Sequence, residues 1–478
     1  MSLACLSNYF REVRVSARLF KGVAGMTGVA VAALLTVGAG VATAVPLHIT
    51  WGARFKQQPT SAQCEQMYGI ACYSAGQVRH AYGIDQLNAH GLTGRGQTIV
   101  LVDSYGSPSI QSDLQGFDQA NGLPAPPSLD VISPAGAPPA WNPNLYPDQL
   151  GWAQEATLDV EYAHAMAPGA NLVLVETPVD ETEGVQGLPQ MMQAEQYVIN
   201  HHLASVISQS FGATEPTFQN AQGKFDPQLI YNLRFAFQDA AAHGVTVLAA
   251  SGDDGATDYE PNLIDNYPFR TIDWPSSDPL VTSVGGTQLL LDPAGNRTAP
   301  DSVWNDPPSV CSPCAGSGGV SAVFGRPFYQ DGVRNVVGGA RGTPDVSMSG
   351  SCTGAVDWYE SYPAAPGFPA VPGGWGPICG TSEASPLFSG EVALADQAAG
   401  HPLGLINPSL YEMGDGRLSG LTDITIGNNT VTFTNTDGNT YTVKGYNARP
   451  GYDLASGLGE ANAAFPLELA ALNSHRGR

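Results

Sequence analysis

Positive charge is scarce in this chain. Its 478 residues hold 20 Lys and Arg against 43 Asp and Glu, a formal net charge of −23 at pH 7. A phosphate backbone would be repelled by such a surface, which argues against nucleic acid as a partner. A second long apolar run is also missing: beyond residue 45 no stretch is long and apolar enough to span a bilayer. No internal repeat and no obvious linker interrupts residues 73–470, so this region reads as one large domain. Beside Cys311-Ser-Pro-Cys314 no second closely spaced Cys/His pair completes a zinc site. A chain that is 43% hydrophobic and only 13% charged has the composition of a folded protein, not a disordered one. Protonation at low pH would relieve the negative charge without leaving many positive groups to repel one another, so the acidic balance is compatible with work in acid.

At the start of the chain, Arg11, Arg14, Arg18 and Lys21 precede an apolar run, Gly22 to Val41, and Ala42-Thr43-Ala44 supplies the small residues of a cleavage site. Residues 1–44 therefore read as a secretory signal peptide. The alternative is an uncleaved anchor over 22–44 that holds the protein to the outer face of a membrane. Cys5 lies in this segment, leaving six cysteines: Cys64, Cys72, Cys311, Cys314, Cys352 and Cys379. Export makes disulfides the default, up to three of them, with Cys64 to Cys72 the pair best supported by proximity.

Residues 45–72 show little periodicity and read as a short lead-in. Apolar runs bounded by turn signals then recur as buried strands at Thr98–Asp103, 170–177, 205–212, 245–253 and 280–287. Helical stretches alternate with them: residues 112–123, 154–167, 188–201 and 227–243. The alternation predicts an α/β fold, a mostly parallel sheet with helices on both faces. Turn-rich sequence from Leu291 to Pro372 reads as long surface loops. Further on, a hairpin is expected around Thr436-Asp437-Gly438, flanked by loops rich in Asp, Asn and Gly.

Three fragments carry chemistry. Gly373 to Gly400 reads as a glycine-rich loop entering a helix, with Ser382 at the junction and Pro386 placed in the first turn, where its missing N–H has no partner. A serine there lies beside free backbone N–H groups that suit an oxyanion, although alone it is equally an N-cap. Glu155 and Asp159 lie four residues apart on a predicted helix, about 40° apart on one face. Facing a cleft, such a pair should have one raised pKa and suits a serine base in acid, where histidine would be protonated. Asp253 closes a buried strand, and facing a reacting carbonyl it must be protonated to donate to the oxyanion. Asp423 and Asp453, at loop edges with nearby carbonyls, are oxygen ligands of the kind calcium takes.

These residues sit in motifs that resemble the sedolisins, serine-carboxyl peptidases of subtilisin-like fold. The resemblance runs over roughly 73–470, through GQTIVLVD, Glu155-x-x-x-Asp159 followed by APGA, ISQSFGATE, ASGDDGA, WPSSDPLVTSVGGT, SGGVSAVFGRPFYQ, GTSEASP and GYDLASGLG. It implies that Ser382 is the nucleophile, Glu155 the general base and acid, Asp159 its partner and Asp253 the oxyanion residue. It also implies one Ca2+ held by the side chains of Asp423 and Asp453 and the carbonyls of Ile424, Arg449 and Gly451. The implied protein is a secreted, monomeric, acid-acting endopeptidase on protein or peptide substrates, with a peptidase domain over 73–473. Three departures stand out: Arg449 replaces a usual glycine, Phe211 a usual tryptophan, and residues 45–72 are too few for the family's prosegment. Two alternatives remain. One is a Ser/His/Asp subtilase using Asp103, with His164 the nearest histidine but none of the nine in an HGTH-type setting. The other is a secreted binding protein of this fold without hydrolysis.

Overall fold

A computed structural model describes residues 48–52, 54–414 and 418–474. The segment read as a signal peptide lies outside the described residues. Every strand expected from an apolar run is present, over Thr98–Ser104, Asn171–Thr177, Val206–Gln209, Thr246–Ala250 and Thr282–Gln288. They join a ten-stranded sheet whose parallel part runs, in space, 129–132, 171–177, 98–104, 206–209, 246–250, 282–288, 346–349 and 460–461. Antiparallel strands Leu421–Thr422 and Ser302–Val303 are added to it.

The two faces of this sheet bury different halves of each strand. In Thr98–Ser104, Ile99 and Leu101 join a core with the helices Ile110–Asn121, Asp148–Met166, Thr381–Ala399 and Phe465–Ser474. Val100 and Val102 join a second core against Leu188–Asn200 and Phe235–His243. Strands buried on both faces must be apolar throughout, which is why the sequence shows runs rather than alternation. The helix expected over 227–243 is two, Pro227–Leu233 and Phe235–His243.

The chain leaves Thr98–Ser104 for the sheet edge at Leu129–Ile132, returns to Asn171–Thr177, and then crosses to Val206–Gln209 on the other side. Its direction of winding therefore reverses beside Thr98–Ser104, and the carboxyl ends of strands at such a reversal leave a crevice.

Two expectations change. The region 291–372 is not simply loops: it carries the strands Gly319–Gly325, Ala340–Thr343, Val346–Ser349 and Ala355–Tyr362. Residues 48–72 are integrated into the body. Ile49–Thr50 pairs antiparallel with Ile378 and Cys379, and a capped helix, Ser61–Tyr68, precedes Cys72–Tyr73, which pairs with Ala355–Val356. Capping boxes and a four-stranded side sheet do there what periodicity does elsewhere. The disulfides are Cys64–Cys72, Cys311–Cys314 and Cys352–Cys379, so the CSPC pair is closed on itself. The hairpin forms as expected, Val431–Thr434 with Thr440–Val443. No described helix is long and apolar enough to cross a membrane.

Candidate active site

Two buried helices meet above the crevice. Asp148–Met166 carries Glu155 and Asp159, and Thr381–Ala399 carries Ser382. They approach closely because small residues face the contact: a Cβ on Gly390 would lie 2.3 Å from the Cβ of Met166. Glu155, Asp159 and Ser382 are each 0% exposed and Asp253 is 6% exposed.

Ser382 is the second residue of its helix, so its N–H has no intrahelical partner, and its Oγ is buried without a hydrogen-bond partner. It is not the cap. Capping comes from another strand end: Asp253 Oδ1 accepts from Thr381 N and from Thr381 Oγ1, each at 2.7 Å. That leaves Asp253 Oδ2 buried and unpartnered at the head of the serine helix. Burial pushes Asp253 well above the usual carboxylate range, against the pull of the Thr381 donors and with Glu155 adding to the rise. Protonated, it is a hydrogen-bond donor.

Pro386 lies inside the helix, beyond the first turn where the sequence reading put it. A proline has no N–H to give the carbonyl four residues back, here that of Ser382. The Ser210 hydroxyl takes up part of that vacancy, lying 3.5 Å from Ser382 O and donating to Asp159 Oδ1 at 2.8 Å. One hydroxyl thus links the strand end at 206–209, the acid pair and the serine backbone.

Burial is the main cause of the raised pKa of the pair. It drives Glu155 up to about 8, with the nearby Ser382 and Ser210 hydroxyls countering the rise. Asp159 is pushed well above its ordinary value, first by burial and then by Glu155. Asp103 joins them at the end of its strand: both its oxygens are buried without partners, and burial, then Asp159 and Glu155, raise it. Phe211 is fully buried in the second core beside this group.

His48 was not singled out by sequence. Its Nδ1 bonds Glu155 Oε2, and burial holds the imidazole down to about 3. With Glu155 raised and His48 lowered by the same burial, the bond between them is that of a protonated Glu155 donating to a neutral His48. No sequence motif marks this residue; only strand pairing between Ile49–Thr50 and Ile378–Cys379 brings it here. His164 lies elsewhere. It is nine residues past Glu155, about 13 Å along the helix, with Nε2 at 2.8 Å from Pro124 O and 3.2 Å from Asp118 Oδ1. The structure thus offers the Ser/His/Asp alternative no base at His164, while Asp103 sits among acids.

The loops read as calcium ligands do come together. Asp423 Oδ2 accepts from Gly451 N at 2.9 Å. Asp453 Oδ2 accepts from Arg449 N at 2.8 Å, and its Oδ1 from Ala455 N and Ser456 N, each at 2.9 Å. Asp423 is exposed and Ile424 is buried beneath it. The two carboxylates thus sit on adjoining loops, tied to them by backbone N–H groups, and carboxylate oxygen is the donor type that calcium takes.

A parallel sheet reversing at Thr98–Ser104, with a buried serine at a helix head and three carboxyls around it, defines a subtilisin-like fold with a serine-carboxyl constellation. The sequence profile of the subtilase family matches residues 151–409, more than half of the chain. The chain belongs to that family, in its sedolisin branch. Kumamolisin of Bacillus sp. (strain MN-32) is 32% identical over 377 residues, covering 77% of this chain and 59% of that protein. Sedolisin of Pseudomonas sp. (strain 101) is 29% identical over 376 residues, 78% of this chain and 57% of that one. Human tripeptidyl-peptidase 1 is 29% identical over 331 residues, covering 66% and 51%. The chain therefore spans little more than half the length of these relatives. Among solved structures, Pseudomonas sedolisin, a serine-carboxyl proteinase complexed with two molecules of pseudo-iodotyrostatin, superposes with a TM-score of 0.64 at 26% identity. That match covers 86% of this chain and 99% of the other.

Proposed function

We propose that this protein hydrolyses peptide bonds in acid, as a secreted, monomeric serine-carboxyl endopeptidase that forms an acyl-enzyme on Ser382. The observation that carries the reading is the convergence of an unpartnered Ser382 Oγ, the Glu155–Asp159 pair and the unpartnered Asp253 Oδ2 in one buried crevice. Glu155, once ionised, takes the Ser382 proton as Oγ attacks the carbonyl carbon, and the C=O electron pair moves onto oxygen. Protonated Asp253 and the Ser382 N–H donate to that oxyanion. As the C–N bond breaks, Glu155 gives its proton to the departing amine. Water, deprotonated by Glu155, then attacks the ester, and the proton returns to Ser382. Asp159 shares the proton of Glu155 and holds it, and Ser210 orients Asp159.

Because burial is the main cause of the rise at Glu155, displacing His48 and opening the crevice to solvent brings its pKa down, while Asp253 stays protonated behind Thr381. The rate then climbs as Glu155 ionises and falls as Asp253 ionises. The test is cleavage of a denatured protein from about pH 2 to about pH 8, where a maximum below about pH 6 is expected. A maximum near neutrality would contradict the carboxyl mechanism.

His48 occupies the base that the reaction needs. His48→Ala is expected to lower KM for peptides about three- to tenfold with kcat little changed, as for removal of a competitor; an unchanged KM in steady-state kinetics counts against this.

We further place one Ca2+ at the side chains of Asp423 and Asp453 and the carbonyls of Ile424, Arg449 and Gly451. It would supply charge neutralisation and tie the two loops, away from the chemistry. Since Arg449 would contribute only its carbonyl, its side chain is no obstacle. Saturating Ca2+ is expected to stabilise the protein by about 3 kcal/mol at a hundredfold excess over Kd, read as a higher Tm than in chelator. Asp453→Asn should remove the difference, and equal Tm values for the parent protein would exclude the site.

A further inference from the structure

The CSPC motif has no part in the peptide chemistry, yet the fold carries it close to the strand that leads to Ser382. A small separate core holds Cys314, Cys352 and Cys379 together with Trp304, and Ile49 and Cys311 pack against it. Two disulfides, Cys311–Cys314 and Cys352–Cys379, therefore share one cluster. The Sγ atoms of Cys311 and Cys352 and a carboxylate oxygen of Asp306 all lie within 4.8 Å of one another. Asp306 is firmly held there. Its Oδ1 accepts from Ser351 Oγ at 2.9 Å and Thr353 N at 3.1 Å, and its Oδ2 from Cys352 N at 2.8 Å and Trp304 Nε1 at 2.6 Å. Both sulfurs already carry a covalent partner, so the cluster suits exchange between sulfurs rather than a cation.

The four cysteines differ in access. Cys352 and Cys379 are 0% exposed and Cys314 is 4% exposed, whereas Cys311 is half-buried, with Ser309 and Ser312 exposed on either side. A dissolved reductant can meet Cys311 but not the Cys352–Cys379 bond. The two bonds also differ in what they hold. Cys311–Cys314 closes a ring over Ser312 and Pro313 alone, so opening it frees little chain. Cys352–Cys379 joins residues 27 apart and pins the hairpin of Ala355–Tyr362 and Val371–Cys379 at its base. Beside it, Gly380 N donates to Gly350 O at 2.9 Å. Cys379 also stands opposite Ile49, next to His48 on Glu155, with its Sγ 3.4 Å from Ile49 O. The buried bond thus ends three residues before Ser382.

We propose that Cys311–Cys314 is a redox-active site for dithiols, and that it passes the electron pair it receives to the buried Cys352–Cys379 bond. One thiolate of the dithiol attacks Cys311 Sγ, and Cys314 leaves and takes up a proton. The second thiol of the reductant then attacks the first, closing the dithiol into a disulfide and releasing Cys311 as a thiol. Cys311 gives its proton to the Asp306 carboxylate beside it, and so to solvent, and its Sγ attacks Cys352 Sγ. The Cys352–Cys379 bond breaks, and its electron pair goes to Cys379, which takes up a proton. The protein ends with one disulfide fewer and the reductant with one more: Cys311 is joined to Cys352, and Cys314 and Cys379 are thiols. The bond lost is the one that ties the hairpin base beneath Ile49. The exchange uses neither Ser382 nor Glu155, so it stands apart from the peptidase reading.

Trapping of free thiols with iodoacetamide in the intact protein at about pH 7, followed by peptide mapping, reads the exchange. Cys314→Ser leaves Cys311 as a free thiol beside Cys352, so no reductant is needed. The label is expected on Cys379, with Cys311 joined to Cys352. Label on Cys311, with Cys352–Cys379 intact, would overturn the proposal. In the parent protein, dithiothreitol should place label on Cys314 and Cys379 while Cys64–Cys72, equally buried but outside this core, stays closed. The double variant Cys311→Ser/Cys314→Ser, with circular dichroism matching the parent, should open Cys352–Cys379 at least about tenfold more slowly. An equal rate in the two proteins, or opening of Cys64–Cys72 in step with Cys352–Cys379, would mean that the buried bond is reached by unfolding, and that too would overturn the relay.

Discussion

Ser382→Ala is expected to lower peptide-bond cleavage by about 10⁴-fold or more while leaving the fold intact. The size of the effect comes from losing the oxygen placed to attack between Glu155 and the Asp253 arm. Removing a nucleophile from a unit of cooperating groups abolishes most of what the unit does. The intact fold follows from the same geometry. Ser382 Oγ anchors no secondary structure and its one near neighbour is the Glu155 carboxyl, so its deletion costs the fold little. Thr381, which does hold the helix head to Asp253, is untouched. Matched circular dichroism and thermal melts, with cleavage of a denatured protein as the activity readout, check both halves. Equal cleavage by the variant would remove Ser382 from the mechanism, and a collapsed fold would mean that the hydroxyl has a structural partner.

Raising the pH is expected to unfold this protein. Burial pushes Glu155 and Glu195 up to about 8, Glu176 to about 7 and Asp113 to about 6, and Asp103, Asp159, Asp253 and Glu391 well above the carboxylate range. A carboxyl whose folded pKa is raised binds its proton more tightly in the native state. Its contribution to stability is therefore complete below the unfolded value, near 4, and is lost as pH rises through the folded one. For Glu195, fully buried on its helix and bonded to Gln209 Nε2, the loss is on the order of a few kcal/mol. Melts from about pH 3 to about pH 9 should show Tm falling by on the order of 10 °C or more over the upper half. Glu195→Gln should flatten part of that slope. A Tm at pH 8 equal to that at pH 4 would mean that these acids are not buried as described.

Much of this arrangement could be read from residues in order. Apolar runs such as Thr98–Ser104 announce a strand covered on both faces, because burial leaves no room for alternation. Glu155 and Asp159 share a helical face by spacing alone, and GTSEASP marks the helix head. What could not be read depends on contacts far apart in sequence. The position of Pro386 within its helix hinges on the cap of the first turn, where Asp253 bonds Thr381 across 128 residues of chain. The strand at 355–362 has mixed polarity because it lies in a side sheet, and its partners at 72–73 and 371–379 are what make it regular. His48 carries no local signal, and its approach to Glu155, 107 residues away, follows from register on a neighbouring strand.

The same register has a consequence for how the molecule behaves in concentrated solution. Ile49–Thr50, with Arg54 and Phe55 bonding Trp375 O, covers the outer edge of the strand Val371–Cys379. Once that short segment peels away, the edge presents a row of unpaired N–H and C=O groups leading straight to the serine. An open edge of this kind pairs with any extended backbone that reaches it, including that of a neighbouring copy. Displacing that segment would therefore open the crevice and an unprotected sheet edge together.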